Sequence, residues 1–211
     1  MAEVSTIRLG PSIGRRAKQK AETYVLILEI AKEMFEELGF EKTTLRKVAD
    51  KAGISPGAIF KHFENKAALL AAALFADIEA VQEKALNSIP QNETLQKQFL
   101  FVAGEFFKYY AARPALSKIL VKHSLFIEGD WARKFNAQTF RLIEKTGHLI
   151  QEAKNQGRIR SEVDNQVLAS AFYSHYLLVL VLSVKETAID PNDALGKLET
   201  LINQTLSGAM G

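Results

Sequence analysis

Polar and apolar residues recur along this chain with the period of an α-helix. Between about residues 21 and 38 the apolar side chains lie three and four positions apart, which places them on one face of a helix. These side chains are Ile27, Ile30, Ala31, Met34, Phe35 and Leu38. Gly39 follows the segment, and glycine tolerates the backbone conformation that ends a helix. The pattern predicts an amphipathic first helix that packs against the elements after it.

Two short helices joined by a tight turn are predicted next. The first is expected to start at Thr44, with Thr43 as the alternative cap, and to stop at Gly53, since a threonine hydroxyl accepts a hydrogen bond from a free N–H of the first turn. The second starts at Ser55-Pro56, a cap residue followed by the residue favoured at the first helical position. This arrangement is typical of a helix-turn-helix, whose second helix enters the major groove of DNA. A plain helical hairpin inside a bundle is the alternative.

Longer helices are predicted over the rest of the chain. They span about 66–87, 93–112, 114–122, 131–156, 162–186 and 191–207, with Gly-, Pro- and Asn-containing breaks between them. No stretch alternates with the period of a strand, so we predict an all-α fold of about nine helices. It consists of an N-terminal three-helix domain with the helix-turn-helix and a C-terminal helical bundle domain.

Positive charge is concentrated in the predicted helix-turn-helix domain. Residues 1–66 carry 12 Lys and Arg against 9 Asp and Glu, whereas residues 67–211 carry 15 of each. Clustered cations bind DNA by releasing counterions from its phosphates, so this distribution favours DNA binding over a merely solvated basic face. Residues 1–20 hold several of these cations without an apolar period. We expect a mobile basic segment there, either a tail or an arm that reaches a neighbouring groove.

The segment from about 21 to 70 resembles the tetracycline-repressor (TetR) family of transcription regulators. In the helix-turn-helix and the helix after it, the resemblance rests on Thr43-Thr44, Val48-Ala49, Ala52-Gly53-Ile54-Ser55, Gly57, Phe60, His62-Phe63, Lys66 and Leu69-Leu70. In the first helix it rests on Ile27-Leu28, Ala31, Phe35 and Gly39-Phe40. The family usually has tyrosine where this chain has Phe60, which keeps the ring and loses a phosphate-binding hydroxyl. The resemblance implies a dimeric DNA-binding regulator: a DNA-binding domain at 21–66, with its motif at about 44–63, and a ligand-sensing and dimerisation domain at 67–211.

The motif and the resemblance together give a set of expected DNA contacts. They are Thr43, Thr44, Lys47, Ser55, Gly57, Ala58, Phe60, Lys61, His62 and Lys66. Small residues in the second helix allow close approach to the groove, and Ala58 can touch a thymine methyl. Lysines and His62 can donate to phosphates, and Lys66 stands at a helix N-terminus, where an anion is favoured.

The C-terminal domain is expected to hold the effector and the dimer interface. The resemblance implies a mostly apolar effector cavity, for which the candidate residues are Tyr110, Phe126, Tyr173, His175 and Tyr176. Hydrogen-bonded core packing is the competing interpretation of the last three. Residues 167–184 are apolar almost all round but are interrupted by serines and His175, so a buried helix fits better than a membrane span. We predict a homodimer through the last two helices, about 162–186 and 191–207.

Enzymatic chemistry has little support in the sequence. The chain has no cysteine, its histidines never lie four residues apart, and it lacks the nucleophile and phosphate-loop motifs of common enzymes. We expect no catalytic residues, no metal and no cofactor. No apolar leader is visible at the N-terminus, so a cytoplasmic protein, associated with the nucleoid when bound, is expected.

The function that these observations favour is ligand-responsive transcription regulation. We expect a repressor that a small-molecule effector releases from a palindromic double-stranded DNA operator. The alternative is a helical small-molecule-binding or scaffold protein whose basic patch binds another polyanion.

Overall fold

Helices account for the whole regular structure of the described chain. A computed structural model describes residues 14–185 and 189–209, and within these ranges the backbone forms nine helices and no strand. The helices are α1 (Arg15–Lys42), α2 (Leu45–Lys51), α3 (Pro56–Phe60), α4 (Lys66–Asn87), α5 (Leu95–Ala112), α6 (Pro114–Ser124), α7 (Gly129–Asn155), α8 (Asn165–Ser183) and α9 (Pro191–Ser207). The predicted all-α fold is therefore confirmed.

The first helix is longer at its start than the apolar pattern predicted. It begins at Arg15, where the Gly14 carbonyl accepts hydrogen bonds from the backbone of Ala17 and Lys18. Residues 15–20 thus belong to α1 and not to the mobile arm expected at 1–20, while residues 1–13 lie outside the described residues. The physical reason is that Arg, Lys, Gln and Ala are strong helix formers, so these residues extend a helix that is anchored further along. At the other end Gly39 has a φ of +78° and interrupts the helical backbone as expected.

Helices α1, α2 and α3 close around a small core. Its centre is formed by the side chains of Ile27, Phe35, Val48 and Ile59, which are fully buried. Side-chain caps start the second and third helices, because Thr44 accepts from the backbone N–H of Lys47 and Ser55 accepts from that of Ala58. These local signals fix where α2 and α3 begin, and the burial of Ile59 leaves the opposite face of α3 outside.

The second domain is a bundle in which α8 packs between α7 and α9, and α5 packs along α9. Among its fully buried side chains are Phe107, Leu116, Ile150, Leu198 and Ile202. By length and composition alone, α8 is apolar enough to cross a membrane. Because it packs between two helices of the bundle, a core helix that keeps an apolar outer face explains the same composition.

Two polar contacts hold the DNA-binding domain against the second domain. The buried Lys32 ammonium on α1 lies 2.6 Å from a carboxylate oxygen of Asp77 on α4. The Glu36 carboxylate, also on α1, accepts hydrogen bonds from the backbone of Ala115 and Leu116 at 3.3 and 2.5 Å. Since α6 has no cap from its own sequence, Glu36 supplies the acceptor that its first turn needs. The positions of α1, α4 and α6 are therefore linked.

Candidate DNA interface and ligand cavity

The outer face of α3 is free of contacts with the rest of the protein. Ser55, Gly57 and Lys61 are exposed, and the Phe60 ring is 51% exposed although it is a large apolar side chain. A side chain added at Gly57 would meet no atom within 4 Å. Ala58 is partly buried, and Ile59 faces the core. The result is a short helix that presents small, aromatic and cationic groups to solvent.

Helix α2 places further cations beside this face. Arg46 and Lys47 are exposed, and the Lys47 ammonium donates only to the Lys42 carbonyl, at 3.0 Å, among the described contacts. Lys51 differs, because it lies 3.1 Å from the Glu33 carboxylate on α1. Across the described residues, no ion pair engages Arg46 or Lys61. The helix-turn-helix therefore has unneutralised cations at α2 and just after α3.

Two expected DNA contacts are used inside the protein. Thr43 is 0% exposed, and its hydroxyl lies 3.1 Å from the Met34 carbonyl and 2.9 Å from the Gly39 carbonyl. The expectation that Thr43 touches DNA is therefore wrong: its hydroxyl is buried against these carbonyls of α1, and Thr44 is the cap. The Lys66 ammonium donates to the Phe40 carbonyl at 2.6 Å and lies 4.2 Å from the Phe40 ring centroid. Lys66 thus ties α4 to the end of α1, instead of projecting freely from the start of α4.

His62 is positioned by an aromatic residue that sequence reasoning missed. Its ring is partly buried, with its centroid 5.9 Å from that of Tyr24 and 6.2 Å from that of Phe63. Tyr24 also stacks on Phe63 at 5.3 Å, and burial raises the pKa of its hydroxyl. The spacing along α1 did not single out Tyr24, because its contacts are to residues nearly forty positions away.

A cavity of about 300 Å³ lies in the second domain between α4, α5, α6, α7 and α8. Three of the expected ligand residues, Tyr110, Tyr173 and Tyr176, line it together. The hydroxyls of Tyr176 and Tyr110 lie 3.5 Å apart, and the Tyr173 hydroxyl lies 3.5 Å from that of Thr139. Burial raises the pKa of Tyr110 and Tyr176 above the usual tyrosine value, so both hydroxyls stay protonated near neutral pH.

The other two expected ligand residues lie elsewhere. Phe126 is 85% exposed and lines a separate open cleft of about 600 Å³ between the start of α4 and the α6–α7 connection. The His175 Nε2 atom lies 2.7 Å from the Thr205 hydroxyl on α9. Phe126 and His175 therefore do not line the cavity of the three tyrosines, because the loop carries Phe126 outward and α9 provides the partner of His175.

Polar residues of the cavity were also missed by sequence reasoning. They are Gln82, Asn136, Gln138 and Thr139. Each lies in a helix among charged neighbours, where a polar residue is usually solvated. The packing of α4 and α7 against α5 and α8 buries Gln82 and Gln138, whereas Asn136 is exposed at the edge of the cavity.

Comparison with known proteins places the motif in a family. Residues 27–73 match the profile described as "Bacterial regulatory proteins, tetR family". Over these residues the chain is similar to the TetR family. The match covers the second half of α1, all of α2 and α3, and the first third of α4, and it includes the unneutralised cations. The matched family consists of regulatory proteins.

The chain is also similar to two proteins that are named as repressors. The HTH-type transcriptional repressor Rv1474c of Mycobacterium tuberculosis (strain ATCC 25618 / H37Rv) is 29% identical over 144 residues, 67% of this chain and 72% of the relative. The probable acrEF/envCD operon repressor of Escherichia coli (strain K12) is 29% identical over 168 residues, 74% of each chain.

A solved structure shares the fold of both domains. SmeT, the repressor of the Stenotrophomonas maltophilia multidrug efflux pump SmeDEF, superposes with a TM-score of 0.67 at 20% identity, over 89% of this chain and 90% of SmeT. SmeT has also been solved as a complex with triclosan.

Proposed function

We propose that this chain is a dimeric TetR-family transcriptional repressor that a small molecule releases from its operator. The observation that carries the proposal is the outer face of α3, which is capped, free of protein contacts and flanked by unneutralised cations. A helix with these properties fits the major groove. The alternative, a scaffold whose basic patch binds any polyanion, does not require a clear helical face.

Each exposed residue of the motif has a proposed role at DNA. Thr44, Arg46 and Lys47 contact phosphates from α2, and Lys61 does so after α3. Ser55, Gly57, Ala58, Phe60 and His62 lie at the groove, where phosphate contacts set the position of the helix and base contacts set the sequence. Phe60 contributes apolar contact, for example to a thymine methyl. Lys66 holds α4 against α1 and so orients the reading domain.

The proposed dimer joins copies through α8 and α9. On α8, Val167, Leu178 and Leu182 are exposed although they are large apolar side chains, and their spacing puts them on one face. On α9 the stripe of Ala194, Leu198, Ile202 and Leu206 is buried within the chain, so the interface uses the opposite side of that helix. A two-fold dimer presents two α3 helices to half-sites roughly 34–36 Å apart on one face of DNA.

Ligand binding is coupled to release from DNA because the cavity and the DNA-binding domain contact the same two helices. The cavity is lined by α4 and α6, and both helices contact α1 of the DNA-binding domain. A ligand that prefers a different placement of α6 shifts α1 through the Glu36 contact and changes the separation of the two α3 helices. The ligand must prefer that arrangement, since equal affinity for both states shifts nothing. Such a repressor works in the cytoplasm, on the nucleoid.

The proposal is tested by selecting genomic fragments with the purified chain and measuring their affinity. We expect enrichment of one inverted repeat, bound at physiological salt roughly 10³-fold or more tighter than a scrambled duplex of equal length. Equal binding of operator, scrambled duplex and heparin would instead support the polyanion-binding alternative.

A further inference from the structure

The cavity between α4 and α8 has no charged residue in its lining. Seventeen residues line it, and all are apolar, aromatic, hydroxyl or amide side chains. The carboxylate that contacts this lining, that of Glu79, accepts from the Gln138 amide at 2.6 Å and lies 2.7 Å from the Arg141 guanidinium. A charged ligand would therefore find no partner of opposite sign, and an unpaired buried charge is strongly unfavourable.

The cavity nevertheless has a polar edge, where the hydrogen bonds between hydroxyl groups are long. Tyr110 is only 6% exposed, and its hydroxyl has a partner at 3.5 Å, the hydroxyl of Tyr176. The Thr139–Tyr173 pair is equally long. Hydroxyl pairs usually lie about 2.7–2.8 Å apart, and a buried hydroxyl left without a good partner costs about 1–3 kcal/mol. A ligand that brings its own hydroxyl to this edge would supply the missing bonds.

Aromatic side chains line the rest of the cavity. Phe106 and Phe135 lie in its wall together with the three tyrosines. The ring centroids of Phe106 and Tyr176 are 5.6 Å apart. Rings at such positions pack well against an aromatic ligand. The cavity volume of about 300 Å³ is at the small end of the range for drug-sized ligands, roughly 300–1,000 Å³.

We infer that the effector is an uncharged aromatic compound carrying a hydroxyl, with its ring among the aromatic side chains of the cavity and its hydroxyl at Tyr110 and Tyr176. This inference rests on the proposed ligand-responsive function and names the class of ligand. It excludes carboxylates, organic cations and nucleotide-bearing thioesters as the compounds that the cavity selects.

A series of probes with one skeleton tests the charge requirement. Calorimetric titration of the DNA-free protein at pH 7.5 compares 4-phenylphenol with biphenyl, with biphenyl-4-carboxylate and with the biphenyl-4-ylmethylammonium ion. We expect 4-phenylphenol to bind at least tenfold more tightly than either ion and several-fold more tightly than biphenyl. Equal or tighter binding of an ion, or no binding of 4-phenylphenol at its solubility limit, would overturn the inference.

Matched variants test where the hydroxyl is recognised. In the double variant Tyr110→Phe, Tyr176→Phe, the preference for 4-phenylphenol over biphenyl should fall to within about twofold of unity, while biphenyl itself still binds. Tyr109→Phe is the control, because the Tyr109 hydroxyl bonds Asp77 at 3.1 Å and does not line the cavity. A preference that survives the double variant, or that Tyr109→Phe removes equally, would overturn the assignment. Because no DNA is present, these results are independent of whether the chain binds an operator.

Discussion

The strongest quantitative prediction concerns Lys61, the exposed cation just after α3. No ion pair involving it is found in the described parts of the chain, so it is available for a DNA phosphate. Each phosphate neutralised on duplex DNA contributes about 0.9 to the slope of log affinity against log salt. Lys61→Ala should therefore reduce that slope by about 0.9. If the variant and the wild type bind equally at 1 M salt, the variant binds about eightfold more weakly than the wild type at 0.1 M salt.

Lys51→Ala is the matched control, since it removes the same charge from the same motif. Lys51 already lies 3.1 Å from Glu33, so its replacement should leave the slope unchanged within about 0.3. Fluorescence anisotropy of a labelled operator from 50 to 300 mM salt gives both slopes. If Lys51→Ala lowers the slope as much as Lys61→Ala does, the assignment of the phosphate contact to Lys61 is wrong.

Three further substitutions have separate expected outcomes. Lys66→Met should lower the free energy of unfolding, measured in urea, by about 1–3 kcal/mol, because the Phe40 carbonyl loses its charged donor. The same variant should change the salt slope of operator binding by no more than about 0.3. A slope reduced by about 0.9 would show that Lys66 contacts a phosphate after all. Glu36→Ala should cost about 0.5–2 kcal/mol in the same urea assay, since α6 loses its capping acceptor; unchanged stability would contradict that role. Leu178→Glu should convert the dimer to monomer in sedimentation, whereas the exposed control Ala137→Glu should not; a dimer that persists in Leu178→Glu would exclude α8 from the interface.

Features fixed by neighbouring residues could be predicted from the sequence. The caps at Thr44, Ser55 and Asn65 have their acceptors and donors within three positions, so local chemistry locates the starts of α2, α3 and α4. The same reasoning could not separate Thr43 from Thr44. Their difference depends on carbonyls of α1 that only the folded chain brings to Thr43.

Features that depend on distant packing were predicted less well. The tyrosines of the cavity could be named from the sequence because they are aromatic residues in apolar helices. Gln82 and Gln138 have the sequence pattern of surface residues, and only the packing of α4 against α7 buries them. His175 looks like a ligand-binding residue until α9 places Thr205 beside it. The sequence does not show that the Lys66 ammonium is bound, because its acceptor, the Phe40 carbonyl, lies near the end of α1.

The central claim, that the outer face of α3 reads DNA, is tested most directly by Gly57→Glu. The new side chain would meet no protein atom within 4 Å at its Cβ, and a carboxylate in the first turn of a helix is favourable, so thermal unfolding should be unchanged. At DNA the same carboxylate would face phosphates and base edges. Operator affinity measured by anisotropy should fall more than a hundredfold, while Ala137→Glu should leave it within twofold. If Gly57→Glu folds normally and keeps wild-type affinity, α3 does not read DNA.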